Sequence, residues 1–356
     1  MPKNPTLRTV LVNGVEVTCG LVAKPNDIPG QAPPGSILVR VRAFSCTCRD
    51  KPLILQTATL ARPDTFCTIG SDFCADVLDT GPGVEGFDPG DLVILNPTPK
   101  NLSARRGSRE YQVVPAADVL RVPHGSPIED LATLGTAAKT AYGLIRISQV
   151  RPSMRVLVTA GRSSVSMALL NALALRKVRP DVVTSSVNLD ARFEELGAGK
   201  VLHAAPPAAN TPLMDCGEVV AHARASGGYD VVFDPFFTSY FERLAPVLKP
   251  GAIYASCGFS SRLTLTSDAD YPASEPPLPP SHSMKAALAL GIINNIELRL
   301  ITLGSTEDLQ HALGDFGQGS YRAPVDRVFD GGNVGGMIER TYCSPERMGR
   351  VVYRYN

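Results

Sequence analysis

The stretch VLVTAGRSSVSMALL, residues 156–170, has the residue types and spacing of a turn that binds phosphate. A short apolar strand ends at Ala160, and an apolar helix begins at about Ser164. Backbone N–H groups at the start of such a helix can bind a pyrophosphate, and the helix dipole favours its negative charge. We therefore predict a dinucleotide-binding turn whose contact residues are Gly161, Arg162, Ser163, Ser164 and Val165.

The turn departs from the usual G-x-G-x-x-G pattern, because it keeps Gly161 but has Ser164 and Ser166 in place of the later glycines. Glycine in such a turn permits a left-handed backbone and a close approach of helix to strand. Serine is the smallest polar substitute, and its hydroxyl can itself donate to phosphate. A strand-to-helix turn without a ligand would have a similar sequence. The prediction therefore rests on position, since the stretch opens the first β-α-β unit of a doubly wound half.

The end of the next strand predicts which dinucleotide is bound. Sites for NAD usually place Asp or Glu there, to bind the ribose 2′-hydroxyl. This chain has Thr184, Ser185 and Ser186 at that point, and its first acidic residue, Asp190, falls inside the following helix. Small hydroxyls with the guanidinium of Arg192 in reach suit a 2′-phosphate. We therefore predict NADPH; the alternative is that Arg192 is only a solvated helix residue.

The elements around this turn predict an α/β protein. The first 120 residues or so are β-rich and punctuated by Pro and Gly, with strands at 36–45, within 73–97 and at 109–115. From Ile128 onward, helical segments alternate with short apolar strands. That alternation is typical of parallel β-α-β units with right-handed crossovers, and hence of a doubly wound sheet.

The last third of the chain adds a loop, a strand and a helix. Residues 262–284 are rich in Pro, Ser and Asp and predict a loop. Residues 294–304 predict a strand, and a helix capped near Ser305 or Thr306 follows it.

Composition and charge exclude several classes of partner. The 356 residues carry a formal charge of +1, with 44% apolar and 19% charged residues, and no basic run stands out. We therefore expect no nucleic acid and no anionic membrane as partner. The sequence has no apolar stretch of the length that a bilayer span needs, and its first residues lack the apolar core of a secretory signal. A cytoplasmic protein is expected, with its eight cysteines reduced.

With these pieces in order, the chain resembles the medium-chain dehydrogenase/reductase superfamily, and within it the zinc-free quinone oxidoreductase and enoyl reductase branch. The resemblance implies a GroES-like β-rich catalytic domain, residues 1–124 and 305–356, and a Rossmann NADPH-binding domain, residues 125–304. It also implies a homodimer, in which the strand at 294–304 pairs with its copy. The alternative is a monomer, in which this strand ends the sheet and the Pro-rich loop at 262–284 covers it. The motifs that carry the resemblance lie at 70–93, 136–145, 156–166, 196–202, 229–236, 248–259 and 304–313.

The resemblance further implies that no zinc is bound. Zinc alcohol dehydrogenases of this superfamily use a Cys, a His in a G-H-E motif and a third ligand. Cys48 resembles the first ligand, but Ser71 stands in place of the histidine, and the third position falls near Gly135 and Thr136. One thiolate cannot form a three-ligand catalytic site. The four-cysteine lobe for structural zinc is also absent from residues 96–111.

Further site residues follow from the same resemblance. Thr47, Cys48 and Arg49 lie in the loop expected beside the nicotinamide, where zinc-free relatives often have Asn and Tyr. Cys48 is either a weak proton donor or a residue that only lines the pocket, and Arg49 either binds pyrophosphate or is a surface charge. Three more residues are expected near the nicotinamide: Thr140, Gly258 and Phe259.

The expected reaction is the reduction of an activated C=C bond by NADPH, without a metal. With no Lewis acid a simple ketone is a hard substrate, whereas a conjugated alkene lets its own carbonyl take the charge as an enolate. The substrate is expected to be an enone, enoyl or dehydroamino acid compound, either a small molecule or tethered to a carrier or peptide. Two alternatives stay open: a quinone oxidoreductase, and a non-catalytic relative that only binds the cofactor.

Overall fold

A computed structural model of the chain describes residues 6–12, 15–21, 30–48, 50, 68–99, 101, 107–123, 125–205, 213–258, 282–344 and 346–356. Arg49 and Phe259, two of the predicted site residues, lie outside the described residues, as does most of the predicted loop at 262–284.

Fifteen strands and eight α-helices lie in the described part of the chain. The strands are β1 (Thr6–Val12), β2 (Val15–Leu21), β3 (Ser36–Ser45), β4 (Asp72–Thr80), β5 (Leu92–Leu95), β6 (Tyr111–Pro115), β7 (Val119–Val122), β8 (Val156–Val158), β9 (Asp181–Thr184), β10 (Val201–His203), β11 (Tyr229–Asp234), β12 (Leu248–Ser256), β13 (Glu297–Leu300), β14 (Val325–Phe329) and β15 (Arg350–Arg354). The helices are α1 (Ile128–Ser148), α2 (Ser164–Leu175), α3 (Asp190–Glu195), α4 (Gly217–Ala225), α5 (Phe237–Leu244), α6 (His282–Ile293), α7 (Thr306–Gly317) and α8 (Val334–Cys343).

The chain divides into two compact units. The first contains the described residues up to Ala137 and from Ala312 onward, and the second contains those from Ala138 to His311. The predicted domain limits, 1–124 with 305–356 and 125–304, stay a prediction.

The first unit is built on a largely antiparallel sheet in the order β14-β15-β3-β4-β5-β7, with β6 also paired to β3. Strand β3 has the alternation that the sequence predicted, and its inward side chains join one core with β4, β5, β15 and α8. The C-terminal strand β15 pairs with β3 in antiparallel register, Val352 opposite Ser45. The C-terminal residues therefore complete the sheet that the N-terminal part begins.

The second unit contains a parallel sheet in the order β10-β9-β8-β11-β12-β13. In chain order the six strands lie 3-2-1-4-5-6, which is the doubly wound Rossmann arrangement. The strand order reverses between β8 and β11, and ligands of such sheets bind beside the carboxyl ends of the strands there. The predicted fold class, a GroES-like β-rich domain plus a Rossmann sheet, is confirmed.

The prediction of a loop up to residue 284 is wrong at its end, because α6 begins at His282. The segment that follows the Pro-rich stretch, KAALALGII, is dominated by good helix formers. Helix α7 begins where it was predicted, since Ser305 and Asp308 exchange hydrogen bonds between side chain and backbone at 2.7 and 3.2 Å. Among the described residues, no helix combines the length and the apolar character needed to cross a membrane.

Candidate cofactor and active site

The predicted phosphate-binding turn lies at the carboxyl end of β8, where the strand order of the sheet reverses. Ser163 is the N-cap of α2, whose first helical residue is Ser164. The N–H groups of the first helical turn have no acceptor within the helix, and they point towards the edge of the sheet where Rossmann ligands bind. Helix α2 itself is almost completely buried from Ser166 to Leu173, so its N-terminus is rigidly placed.

Gly161 is required by close packing. A Cβ atom on Gly161 would lie 2.8 Å from the Cγ2 atom of Val182 and 2.9 Å from the Cε1 atom of Phe193. Its N–H donates to the carbonyl of Val183 at 2.7 Å, which ties the turn to strand β9. Glycine thus allows the turn to pack closely against strand β9 and helix α3, as the first glycine of a dinucleotide-binding turn does. The residues of this turn therefore fit a bound dinucleotide.

Arg162 projects from the same turn and is half-buried. Burial lowers the pKa of its guanidinium, and the neighbouring Tyr240 acts in the opposite direction. A partly desolvated cation in a phosphate-binding turn strengthens the interaction with an anion.

The end of β9 presents hydroxyl groups, as the sequence predicted. Thr184 is buried, and its hydroxyl accepts a hydrogen bond from the N–H of Ser186 at 3.1 Å. Ser185 and Arg192 are exposed. Asp190, the first acidic residue after the strand, lies 3.5 Å from the Nε2 atom of His203. The groups open to solvent at this strand end are therefore a hydroxyl, a guanidinium and the carboxylate of Asp190, which lies beside His203.

Thr140 and Gly258 also lie in the second unit. Thr140 is buried in the middle of α1. A Cβ atom on Gly258 would come within 2.7 Å of the carbonyl oxygen of Pro235, so this position again requires glycine. The Gly258 carbonyl accepts a hydrogen bond from the N–H of Phe237 at 3.0 Å, which fixes the strand end near residue 258 against α5.

In the first unit, the buried carboxylate of Asp50 organises the loop that holds Thr47 and Cys48. It accepts hydrogen bonds from the Ser71 hydroxyl at 2.5 Å, the Thr47 N–H at 2.7 Å and the Gly70 N–H at 3.0 Å. The hydroxyls of Thr47 and Ser71 are 3.2 Å apart, whereas Cys48 is exposed. Thr47 is thus the side chain of this loop that contacts the position predicted to have lost a metal ligand.

A second buried carboxylate, Asp72, lies beside the first. Its Oδ1 atom accepts hydrogen bonds from the Thr136 N–H at 2.8 Å and the Thr136 hydroxyl at 2.7 Å. Its Oδ2 atom is 3.1 Å from the guanidinium of Arg350, which also donates to the carbonyl of Cys46 at 2.6 Å. Burial raises the pKa of Asp72, and the neighbouring Arg350 and Thr136 oppose that shift.

Gly135 completes this packing. A Cβ atom there would lie 2.6 Å from the Oδ1 atom of Asp72 and 3.0 Å from the carbonyl oxygen of Leu95. The position predicted to lack a third metal ligand is therefore occupied by a close contact between α1 and strands β4 and β5. Within the described ranges, no group of three or more His, Cys, Asp and Glu side chains is placed to hold a metal ion.

Thr47 and Cys48 lie in the first unit, and the other described site residues lie in the second. The structure brings Gly161–Val165 together with the end of β9 at one edge of the parallel sheet. Sequence reasoning missed Asp50, Asp72 and Arg350. Asp50 is visible in the sequence as the acid three residues after Thr47, but its partners Gly70 and Ser71 are about twenty residues away.

Comparison with known proteins gives one family match, to the alcohol dehydrogenase GroES-like domain over residues 33–124. The chain is 34% identical over 167 residues to a zinc-type alcohol dehydrogenase-like protein of Schizosaccharomyces pombe, covering 42% of this chain and 48% of that protein. It is 33% identical over 150 residues to the mitochondrial enoyl-acyl-carrier-protein reductase of Homo sapiens, covering 39% of this chain and 38% of the human protein. The matched region thus spans less than half of either relative.

The fold is also that of a solved NAD-dependent alcohol dehydrogenase, with a TM-score of 0.71 and 23% identity over the full length of both chains. At that identity the likeness shows the fold alone. Together with the GroES-like domain match, it supports the resemblance to the medium-chain dehydrogenase/reductase superfamily. The zinc-free branch stays a prediction.

The turn contains one strained residue, Ala160, whose φ of 49° lies in the left-handed region. A non-glycine residue there costs about 1–2 kcal/mol, while glycine costs roughly 0.4–1 kcal/mol of additional unfolded-state entropy. We expect Ala160→Gly to raise the free energy of unfolding by about 0.5–1 kcal/mol. Thermal or urea unfolding measures it. Ala174→Gly, in the helical part of α2, is the control and should lose about 1 kcal/mol; equal losses in both variants would contradict the assignment of strain.

Proposed function

We propose that this chain is an NADPH-dependent reductase of an activated C=C bond that works without a metal. The proposal starts from two findings: the fold, which resembles that of the medium-chain dehydrogenases/reductases, and the match to the GroES-like domain. The observation that carries the proposal is the turn at Gly161, which leaves no room for a Cβ atom and is tied to β9 at the point where the strand order reverses. Gly161, Arg162, Ser163, Ser164 and Val165 would hold the pyrophosphate.

The hydroxyl cluster in the first unit supports a reaction without zinc. Ser71 and Thr47 are hydrogen-bonded to each other and to Asp50, so their oxygens serve as partners within the protein. Hydroxyls are poor zinc ligands compared with the thiolates and imidazoles that proteins use. An enone or enoyl compound suits such a site, because its own carbonyl takes up charge and needs only hydrogen-bond donors to stabilise an enolate.

When bound, NADPH supplies a hydride for the β-carbon of the alkene. The residues of the chain bind and orient the reactants: the α2 N-terminus for the pyrophosphate, and Thr140, Gly258 and Phe259 for the nicotinamide. Cys48, exposed beside Thr47, is the candidate proton donor for the α-carbon, and water is the alternative source.

The preference for NADPH rests on the strand end at 184–186. Ser185, Arg192 and Asp190 are exposed, and the carboxylate of Asp190 lies 3.5 Å from the Nε2 atom of His203. A carboxylate on the ribose 2′-hydroxyl would repel a 2′-phosphate, whereas a hydroxyl and a guanidinium bind one. The solved structure described above is NAD-dependent by its name, so the fold does not decide the cofactor, and the proposed preference for NADPH rests on these residues alone.

The same unit supports the proposal of a homodimer. Strand β13 lies at the edge of the sheet, and exposed apolar side chains adjoin it, with Ile292 79% and Ile293 72% exposed on α6 and Leu300 57% exposed on β13. An edge strand with unpaired N–H and C=O groups beside an apolar face favours pairing, and a second copy of this chain is the partner proposed.

We expect the protein to oxidise NADPH with conjugated enones or enoyl thioesters, and to leave saturated ketones unreduced. NADPH absorbance measures this, and dialysis against a chelator should not change the rate. Gly161→Ala should weaken NADPH binding, while Gly314→Ala, whose Cβ meets only open space in α7, should not.

Activity that is lost on chelation and restored by zinc would overturn the metal-free mechanism. NADPH binding without turnover of any alkene or quinone would point to a non-catalytic relative, and turnover of quinones alone to a quinone oxidoreductase.

The cofactor preference should reverse when the strand end is changed. Ser185→Asp with Arg192→Ala places an acid where the 2′-phosphate would lie and removes the cation, so we expect about a 10-fold or greater shift of relative affinity towards NADH. Fluorescence titration with both cofactors measures it. Equal affinities of the unmodified protein for NADH and NADPH would refute the assignment.

The oligomeric state is measured by light scattering. We expect twice the mass of one 37.9 kDa chain, and about one chain for Ile292→Glu combined with Leu300→Lys. Leu175→Glu, which changes an exposed leucine at the end of α2, is the control and should stay dimeric. A mass near one chain at every concentration of the unmodified protein would exclude the dimer.

A further inference from the structure

We propose that a chain of hydrogen bonds performs in this protein the task that glycine spacing performs in other dinucleotide turns. It links Tyr254, Asp234 and Thr159 through their side chains, and Ser166 through the carbonyl of Thr159. Thr159 and Ser166 are then positioning residues, which hold the turn at 160–165 in the shape that binds the cofactor pyrophosphate. The inference rests on the proposed binding of NADPH and adds the residues that determine its strength.

The turn needs such support because its own sequence disfavours its shape. Ala160 adopts a left-handed conformation that glycine would adopt without strain. Strained residues persist only where the surroundings fix them. Here the next residue, Gly161, is bonded to β9, and the Ala160 carbonyl accepts the N–H of Ser163 at 2.8 Å. These contacts fix the chain at and after Ala160, and Thr159 is the residue that fixes it on the other side.

The side chain of Thr159 is fixed by the buried carboxylate of Asp234. Its hydroxyl donates to the Oδ1 atom of Asp234 at 2.6 Å, and its N–H donates to the carbonyl of Phe233 at 2.9 Å. Asp234 also accepts the Tyr254 hydroxyl at 2.5 Å and the N–H of Phe236 at 2.8 Å. Asp234 is fully buried at the carboxyl end of β11. Burial raises its pKa, and the hydrogen bonds from Thr159 and Tyr254 favour the ionised form.

The carbonyl of Thr159 is fixed by Ser166 of helix α2. The Ser166 hydroxyl donates to the Thr159 carbonyl at 2.7 Å, and Ser166 is fully buried in the first turn of α2. The common third glycine lets the helix approach the strand by leaving space. Serine instead fills that space with a hydroxyl and uses it to bind the strand. The N–H, carbonyl and hydroxyl of Thr159 are therefore all engaged, and the turn starts from an immobile residue.

The position of Thr159 determines the direction of the N–H groups that follow it in the turn and at the start of α2. A helix N-terminus binds an anion only when its N–H groups converge on one point, so a small rotation of residue 159 reduces several contacts at once. Loss of one hydroxyl from the chain of bonds should therefore weaken cofactor binding more than it changes the fold. This separates a positioning role from a general structural one.

The test uses Ser166→Ala and Thr159→Val in the full chain, with Ser148→Ala as the matched control. Ser148 is equally buried in the second unit, but its hydroxyl makes no hydrogen bond. We expect the Kd for NADPH, from fluorescence titration, to rise about 5-fold in Ser166→Ala and about 10-fold in Thr159→Val. The double variant should bind more tightly than the product of the two effects predicts, because both bonds fix the same residue. Ser148→Ala should stay within about 2-fold of the unmodified protein.

Hydrogen exchange provides a second measurement that does not depend on activity. The amides of residues 160–166 should exchange faster in Ser166→Ala, whereas those of β12 and α4 should not change. Unchanged Kd and unchanged exchange in folded Ser166→Ala would overturn the inference while leaving NADPH binding established. A lowered melting temperature with the Kd unchanged would show a structural role only. If the unmodified protein binds no NADPH, the proposed function fails, and the inference fails with it.

Discussion

The buried ion pair between Asp72 and Arg350 is the interaction on which the first unit depends. It joins strand β4 to the C-terminal strand β15, while Asp72 also binds the N-terminal half of α1 through Thr136, and Arg350 binds the carbonyl of Cys46. Four separate parts of the chain thus meet at two side chains. Placing two charges in the interior is costly, and the attraction offsets that cost only where further hydrogen bonds satisfy both groups. Here Thr136 donates to the Oδ1 atom of Asp72, and the carbonyl of Cys46 accepts from Arg350, whereas the Oδ2 atom of Asp72 and the Nε atom of Arg350 have no hydrogen-bond partner among the described residues. The pair is therefore only partly satisfied, and its geometry is fixed by these two bonds.

The two units share a second principle, which is the use of hydroxyls around a buried carboxylate. In the first unit Thr47 and Ser71 surround Asp50, and in the second Thr159 and Tyr254 surround Asp234. A buried carboxylate needs donors, and a hydroxyl donates one hydrogen bond while it accepts others. Ser71 shows this, because it donates to Asp50 and accepts from Thr47. A small buried hydroxyl such as that of Ser71 or Ser166 therefore adds local hydrogen bonds.

Much of the fold could be predicted from the sequence because its signals are local. Strand β3 follows from alternation over 36–45, and the sequence of strands and helices after Ile128 predicts the doubly wound sheet. Helix α6 was missed, because the Pro-rich segment before it was extended three residues too far and its apolar residues show no strong period. The left-handed Ala160 could not be predicted, because nothing in an alanine marks a positive φ.

The site was harder to predict than the fold, since its partners are distant in sequence. Gly161 could be found, because glycine after an apolar strand is itself a signal. Arg350 lies 278 positions after Asp72 in the numbering, and no periodicity connects them. In the loop at 47–50, residue type alone does not predict which side chain makes the buried contacts. Cys48 was the predicted functional residue because of its chemistry, yet Thr47 and Asp50 make the buried hydrogen bonds.

The serine-containing turn shows which glycines of a strand-to-helix turn can be replaced without loss of its packing. A glycine contributes only the absence of a side chain, so it can be replaced wherever the new side chain finds both space and a partner. Ser166 finds the carbonyl of Thr159, and the helix keeps its approach to the strand. At Gly161 a side chain would have neither, because a Cβ atom there would lie only 2.8 Å from Val182 and 2.9 Å from Phe193. The one glycine that this turn retains is therefore the one for which no hydrogen bond could compensate.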